Sequence, residues 1–130
     1  MDKQNKSDQE WLKILTPEQY KVLRERGTDP PFSNKYNLNH DKGKYFCAGC
    51  GNYLFDSQQK YDSGSGWPSF TQPCEPGAVE FVDDFSYGMQ RIEVVCAKCE
   101  GHLGHLFNDG PEPARSRYCI NSTSLNFQSS

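Results

Sequence analysis

A chain of 130 residues, 35% hydrophobic and 24% charged, has room for one compact domain and not for two. A net charge of −3 with no long Lys/Arg cluster argues against nucleic acid as a partner, and no apolar run nears the length of a membrane span. The mean hydropathy of −0.85 leaves a modest core, which calls for a metal or covalent staple.

Met1 to Lys6 is polar and leads into no apolar h-region, so no signal peptide is expected, and the chain should fold in a reducing cytosol. Residues 1–130 are expected to form a single domain and a monomer, with 1–10 and 128–130 flexible. Ser7-Asp8-Gln9-Glu10 fits a capping box, followed by Trp11, Ile14 and Leu15 on one helical face. Thr16-Pro17-Glu18-Gln19 is a second start signal, with Thr at the N-cap and Pro at the first helical position. That helix should turn Tyr20 and Leu23 inward and stop at Gly27, before Pro30-Pro31.

After Phe32 the pattern changes to short aromatic and β-branched runs between Gly, Asn, Asp and Pro clusters. Tyr45-Phe46, Tyr53 to Phe55, Val79 to Val82, Ile92 to Val95, Tyr118 to Ile120 and Leu125 to Phe127 read as antiparallel strands. Gly88 to Val94 alternates like a half-buried strand. Asp62 to Pro68 and Asn108 to Pro113 should be ordered loops.

Four of the six cysteines fall into two equal spacings, Cys47-Ala-Gly-Cys50 and Cys96-Ala-Lys-Cys99. Two such turns at a domain-sized interval can aim four thiolates at one zinc ion, closing a structural site. Gly51 and Gly101 would permit the tight turns that bring backbone N–H groups to the sulfurs. Redox-active pairs of thioredoxin type would need a βαβ context with a helix starting at the first Cys, and neither appears. With four cysteine ligands the zinc has no open position and is not expected to be catalytic.

Cys74 and Cys119 remain as singletons. Arg117 and Asn121 lie two residues on either side of Cys119, hence on its strand face, where Arg117 favours the thiolate. The residues alone allow a reactive thiol or a buried inert one. His40 sits in a turn and reads as surface. His102 and His105 follow the second cysteine turn directly; with zinc already satisfied they read as acids near Cys119, and Asp109 could orient one imidazole.

These residues reach a resemblance. Gly64-x-Gly66-Trp67-Pro68-Ser69-Phe70, Gly101-His102-Leu103-Gly104-His105-x-Phe107, Asp109-Gly110-Pro111 and Arg117-Tyr118-Cys119-Ile120-Asn121 together look like methionine-R-sulfoxide reductases of the B type. The likeness runs from about Leu15 to Phe127. It implies a mainly β fold of two antiparallel sheets packed around a core, tent- or barrel-like, with short N-terminal helices and a structural zinc on Cys47, Cys50, Cys96 and Cys99. It also implies reduction of the R epimer of methionine sulfoxide, in peptides or free, as protein repair. On that basis Cys119 attacks the sulfoxide sulfur, and His105, with His102 and Asp109, helps protonate its oxygen. Arg117 stabilises the thiolate, Asn121 orders the site, and Trp67 with Phe107 packs the substrate methyl.

Attack would leave Cys119 as a sulfenic acid. Many relatives carry a resolving Cys where this chain has Ser65, and a second known placement is Ser33 here. Either Cys74 resolves the sulfenic acid and thioredoxin reduces the disulfide, or an external thiol attacks Cys119 directly. A zinc-stapled β module that binds a peptide without chemistry is the rival of another class. It has no need for a reactive thiol beside two imidazoles.

Overall fold

The computed structural model describes residues 6–130; the expectations for Met1 to Asn5 lie outside the described residues. The two helices begin where their caps place them. Helix α1 spans Asp8–Ile14 and α2 spans Pro17–Glu25, and both start with complete capping boxes, Ser7 with Glu10 and Thr16 with Gln19. Each satisfies backbone N–H groups that a helix start leaves open. α1 buries Trp11, with Leu15 buried just beyond its end, while Ile14 is exposed. Seven residues form only two turns, and Ile14 falls on the outer side. α2 buries Val22 and Leu23 and ends at Arg26, which takes the left-handed conformation just before Gly27.

The rest is β structure in two antiparallel sheets. Strands β1 (Gly43–Cys47), β2 (Tyr53–Asp56) and β9 (Leu125–Ser129) form a three-stranded sheet in the order β2-β1-β9. Strands β3 (Lys60–Tyr61), β4 (Ser69–Phe70), β5 (Val79–Asp84), β6 (Arg91–Cys96), β7 (His102–Phe107) and β8 (Arg117–Ile120) form a six-stranded sheet in the order β3-β4-β8-β7-β6-β5. Both sheets stay open, so the barrel-like alternative gives way to a two-sheet packing. Asp8 to Glu10 open α1, and Gln128 and Ser129 pair with Lys44 and Gly43.

The core between the sheets is aromatic. Phe55 stacks on Phe70 at 4.3 Å between centroids, and Tyr45 meets Phe70 edge-on at 5.2 Å. Leu54, Val94, Leu103, Ile120 and Leu125 fill the remainder. Such aromatic pairs each add about 0.5–1.5 kcal/mol beyond their buried area.

The two cysteine turns join the sheets, because Cys47 ends β1 and Cys96 ends β6. The helices pack over this junction. A Cβ on Gly49 would stand 3.4 Å from the Trp11 ring and 3.5 Å from Leu23, and Arg24 donates to the Cys99 carbonyl at 2.9 Å. Among the described residues no helix is long and apolar enough to cross a membrane.

Candidate active site

Four cysteines gather where the ends of β1 and β6 meet. The sulfur atoms of Cys47, Cys50, Cys96 and Cys99 lie within 4.8 Å of one another. Cys47 and Cys99 sulfurs are 3.6 Å apart and Cys50 and Cys96 sulfurs 3.5 Å. Four sulfurs at about 2.3 Å from one tetrahedral ion would be separated by roughly 3.8 Å, so the cluster fits such an ion. Gly49 and Gly101 donate backbone N–H groups to Cys47 and Cys99, each at 3.4 Å. Gly51 takes a positive φ of 80°, as its turn requires, but in the second turn the left-handed residue is Glu100, at φ 62°. Gly101 is needed for space instead, because a Cβ there would stand 2.9 Å from Leu23.

Cys119, the candidate nucleophile, lies on the six-stranded sheet. Cys119 on β8 pairs with His105 on β7 and with Ser69 on β4, and His105 pairs in turn with Glu93 on β6. Directly paired residues project from the same face of a sheet, so thiol, imidazole and carboxylate form one cross-strand row. A cleft of about 110 Å³ opens over this row, walled by Trp67, Phe107, Arg91, His105, Cys119 and Asn121. Gly104 lets β7 and β8 approach beneath it: a Cβ there would collide with the Cys119 carbonyl.

Burial pushes the Cys119 thiol above its ordinary value of 9.0, and Arg117 and the Ser65 hydroxyl only partly pull it back. Arg117 therefore favours the thiolate without outweighing burial, so the surroundings favour the neutral thiol. The Ser65 hydroxyl continues into a short chain, with Ser63 at 2.8 Å from Ser65 and 2.7 Å from Ser69.

The carboxylates that meet the imidazoles are not the one the sequence suggested. Asp109 receives both Nε and Nη2 of Arg117, at 2.7 and 3.2 Å, and holds that guanidinium 4.4 Å over the Phe107 ring. His105 Nε2 instead meets Asp84 at 2.7 Å, and His102 Nδ1 meets Glu93 at 2.7 Å. The Ser86 amide and His105 hold the Asp84 carboxyl well below the usual carboxylate range. Burial works against ionisation of Glu93, but His102 and Arg26 outweigh it and bring that group down as well. Burial lowers the pKa of His105, with Asp84 opposing. His105 lines the cleft, whereas His102 is only 3% exposed and packs edge-on behind it, 5.4 Å between ring centroids.

Asn121 acts through a neighbour. Its Oδ1 accepts from the Asp29 amide at 2.9 Å, and the Asp29 carbonyl accepts from Trp67 Nε1 at 2.9 Å. The Asp29 carboxylate, buried, takes the Thr123 amide and hydroxyl at 2.9 and 2.6 Å. The indole wall is thereby fixed to the end of β8. His40 is exposed and pairs with Asp62 at 2.8 Å.

Cys74 stands elsewhere. Its sulfur is 3.3 Å from the Tyr53 carbonyl, in a groove lined by Tyr118 and Phe81. Tyr118 and Cys119 are successive strand residues and face opposite sides of the sheet, so Cys74 and Cys119 open onto opposite faces.

A family model described as the SelR domain matches residues 15–129. The peptide methionine sulfoxide reductase MsrB of Leptospira interrogans is 59% identical over 124 residues, 95% of each chain. The protein of the same description from Methanosarcina barkeri is 56% identical over 123 residues, 95% of this chain and 87% of its own. Methionine-R-sulfoxide reductase B3, mitochondrial, of Mus musculus is 54% identical over 121 residues, 93% of this chain and 48% of its own length.

Proposed function

Since the chain belongs to the SelR-domain family of B-type methionine sulfoxide reductases, we propose that it reduces the R epimer of methionine sulfoxide by direct attack of Cys119. One observation carries this reading: the register that sets Cys119 beside His105 in a cleft walled by Trp67 and Phe107. An apolar wall suits the substrate methyl and the imidazole suits its oxygen. Exchanging the two at a stereogenic sulfur would set a polar oxygen against an indole, at about 1–3 kcal/mol.

The atoms balance without an added acid. The Cys119 sulfur bonds to the sulfoxide sulfur while the S–O bond weakens and its oxygen takes up a proton. Collapse breaks the new S–S bond and transfers the hydroxyl to Cys119. Thiol and sulfoxide become sulfenic acid and thioether; the cysteine sulfur loses two electrons and the substrate sulfur gains them. A neutral thiol carries the one proton that the oxygen needs, and His105 is the group placed to relay it. Arg117, anchored by Asp109, favours the thiolate as that proton leaves.

Recovery then needs two external thiols: one displaces water from the sulfenic acid and the second reduces the mixed disulfide. Thioredoxin or a small dithiol can supply them. The opposite placement of Cys74 supports this route over an internal disulfide. The six cysteines stand without disulfides, which suits a reducing compartment such as the cytoplasm; we read the chain as acting there as a monomer. The cysteine cluster would hold zinc as a closed structural centre, supplying a fixed junction between the sheets and no reacting group.

Mass spectrometry after one equivalent of methionine R-sulfoxide, without reductant, tests the route. A persisting Cys119 sulfenic acid, heavier by about 16 Da and captured by dimedone, is expected. A Cys74–Cys119 disulfide would contradict the external route, and an unmodified Cys119 would contradict the attack itself.

A further inference from the structure

Two buried carboxylates behind the cleft have no part in the chemistry above. Asp84 closes β5 and Glu93 lies mid-β6, and their side chains are 3% and 6% exposed. Each spends its shortest contact, 2.7 Å, on an imidazole. Arg26, at the left-handed end of α2, reaches both through one nitrogen, Asp84 Oδ1 at 3.2 Å and Glu93 Oε1 at 3.2 Å. The Ser86 amide donates to Asp84 Oδ1 at 3.0 Å, and Arg91 stands 3.4 Å from Asp84 Oδ2. No rotation of either carboxylate is open without breaking one of these contacts.

We propose that Asp84 and Glu93, bridged by Arg26, are positioning residues that fix opposite tautomers on the two histidines. An ionised carboxylate can only accept, so the ring nitrogen facing it must carry the hydrogen. Asp84 therefore holds the proton of His105 on Nε2 and leaves Nδ1 as the nitrogen free to take and return the proton of Cys119. Glu93 does the reverse for His102, placing its proton on Nδ1. The edge-on His102 ring, fixed in this way, limits how far the His105 ring can turn. The order of action runs from Arg26 to the carboxylates, to the imidazoles, and to the proton in flight.

A network that served only to anchor α2 to the sheet would be equally satisfied by the guanidinium contacts. It would not need both shortest contacts to fall on the rings. The inference rests on the reading of His105 as the proton relay, yet its first test does not depend on turnover. Long-range ¹H–¹⁵N spectra of the metal-loaded wild-type protein at about pH 8, where His105 is neutral, report which nitrogen of each ring is protonated. The expected result is Nε2–H on His105 and Nδ1–H on His102. A proton on Nδ1 of His105 would overturn the proposal, whatever the activity.

The second test is Asp84→Asn, whose amide can donate as well as accept and so releases the tautomer. With methionine R-sulfoxide and dithiothreitol, kcat should fall about 100-fold while KM stays within about 3-fold, alongside a changed His105 nitrogen pattern. A folded Asp84→Asn protein with kcat within about 3-fold of wild type would overturn the role. Should that variant fail to fold, the wild-type spectra decide. Inactivity of the wild-type protein would instead count against the functional reading.

Discussion

Replacing Cys119 by Ser should abolish sulfoxide reduction, by at least about 10⁴-fold, while leaving the fold intact. The substitution keeps the side-chain shape in a half-buried strand position, so a thermal midpoint within a few degrees of wild type is expected. The chemistry cannot survive the exchange. A serine oxygen is a weak nucleophile towards the sulfoxide sulfur, and hydroxyl transfer to it would create an O–O bond in place of a sulfenic acid. Chromatographic quantification of thioether product, paired with circular dichroism of the variant, reads both halves of the expectation. Residual activity within 100-fold of wild type in a folded variant would remove Cys119 from its role.

The second large effect belongs to the cysteine cluster. Cys96 is fully buried at the end of β6 and shares the centre with Cys47 at the end of β1, so the cluster links one sheet to the other. Cys96→Ser, or removal of metal by a strong chelator, should lower the thermal midpoint by about 20 °C or more, or prevent cooperative folding altogether. The helices should loosen with it, since Trp11, Leu23 and Arg24 pack on the turns that the metal holds. Cys74→Ser gives the contrast: its sulfur makes one weak bond to the Tyr53 carbonyl, and a change of at most about 1 kcal/mol is expected. Parallel melting curves of the two variants, with bound metal measured by elemental analysis, separate a ligand from a bystander. Equal stability of Cys96→Ser and Cys74→Ser would contradict the account.

The sequence was most informative where local chemistry decides the outcome. Ser7 and Thr16 announce their helices because an N-cap is a contact over three residues, and the cysteine spacing announces the four-sulfur cluster because each turn brings two thiols together. Strands rich in aromatic and β-branched residues were legible for the same reason. Strand β7 was not. Gly101, Gly104 and two histidines mask it, and only the structure shows that glycine is there to let β7 and β8 approach. The partners of the histidines were hidden more deeply. Asp109 is four residues from His105 and looked like its natural companion, whereas Asp84 lies 21 residues away and reaches it across the sheet. Glu93 lies in the run Gly88 to Val94 that alternates like a half-buried strand, and it is this acid that is buried while its neighbour Ile92 is exposed. Asp29 had no signal at all, because its task is to join Asn121 and Thr123 to the loop that holds Trp67, a contact over more than 90 residues. Cys74 and Cys119 are both singletons in the cysteine arithmetic, which says nothing of their placement: Cys74 lies in a loop beside Tyr118, on the side of the sheet that Cys119 does not face.

Whether the cleft distinguishes the two arrangements around a sulfoxide sulfur can be measured directly. A racemic methionine sulfoxide in a blocked peptide is incubated with the metal-loaded protein and excess dithiothreitol, and the remaining substrate is resolved on a chiral column. About half of the substrate should disappear, all of it the R epimer, with the S epimer untouched. Consumption of both epimers at similar rates, or of neither by a folded, metal-loaded chain, would contradict this expectation.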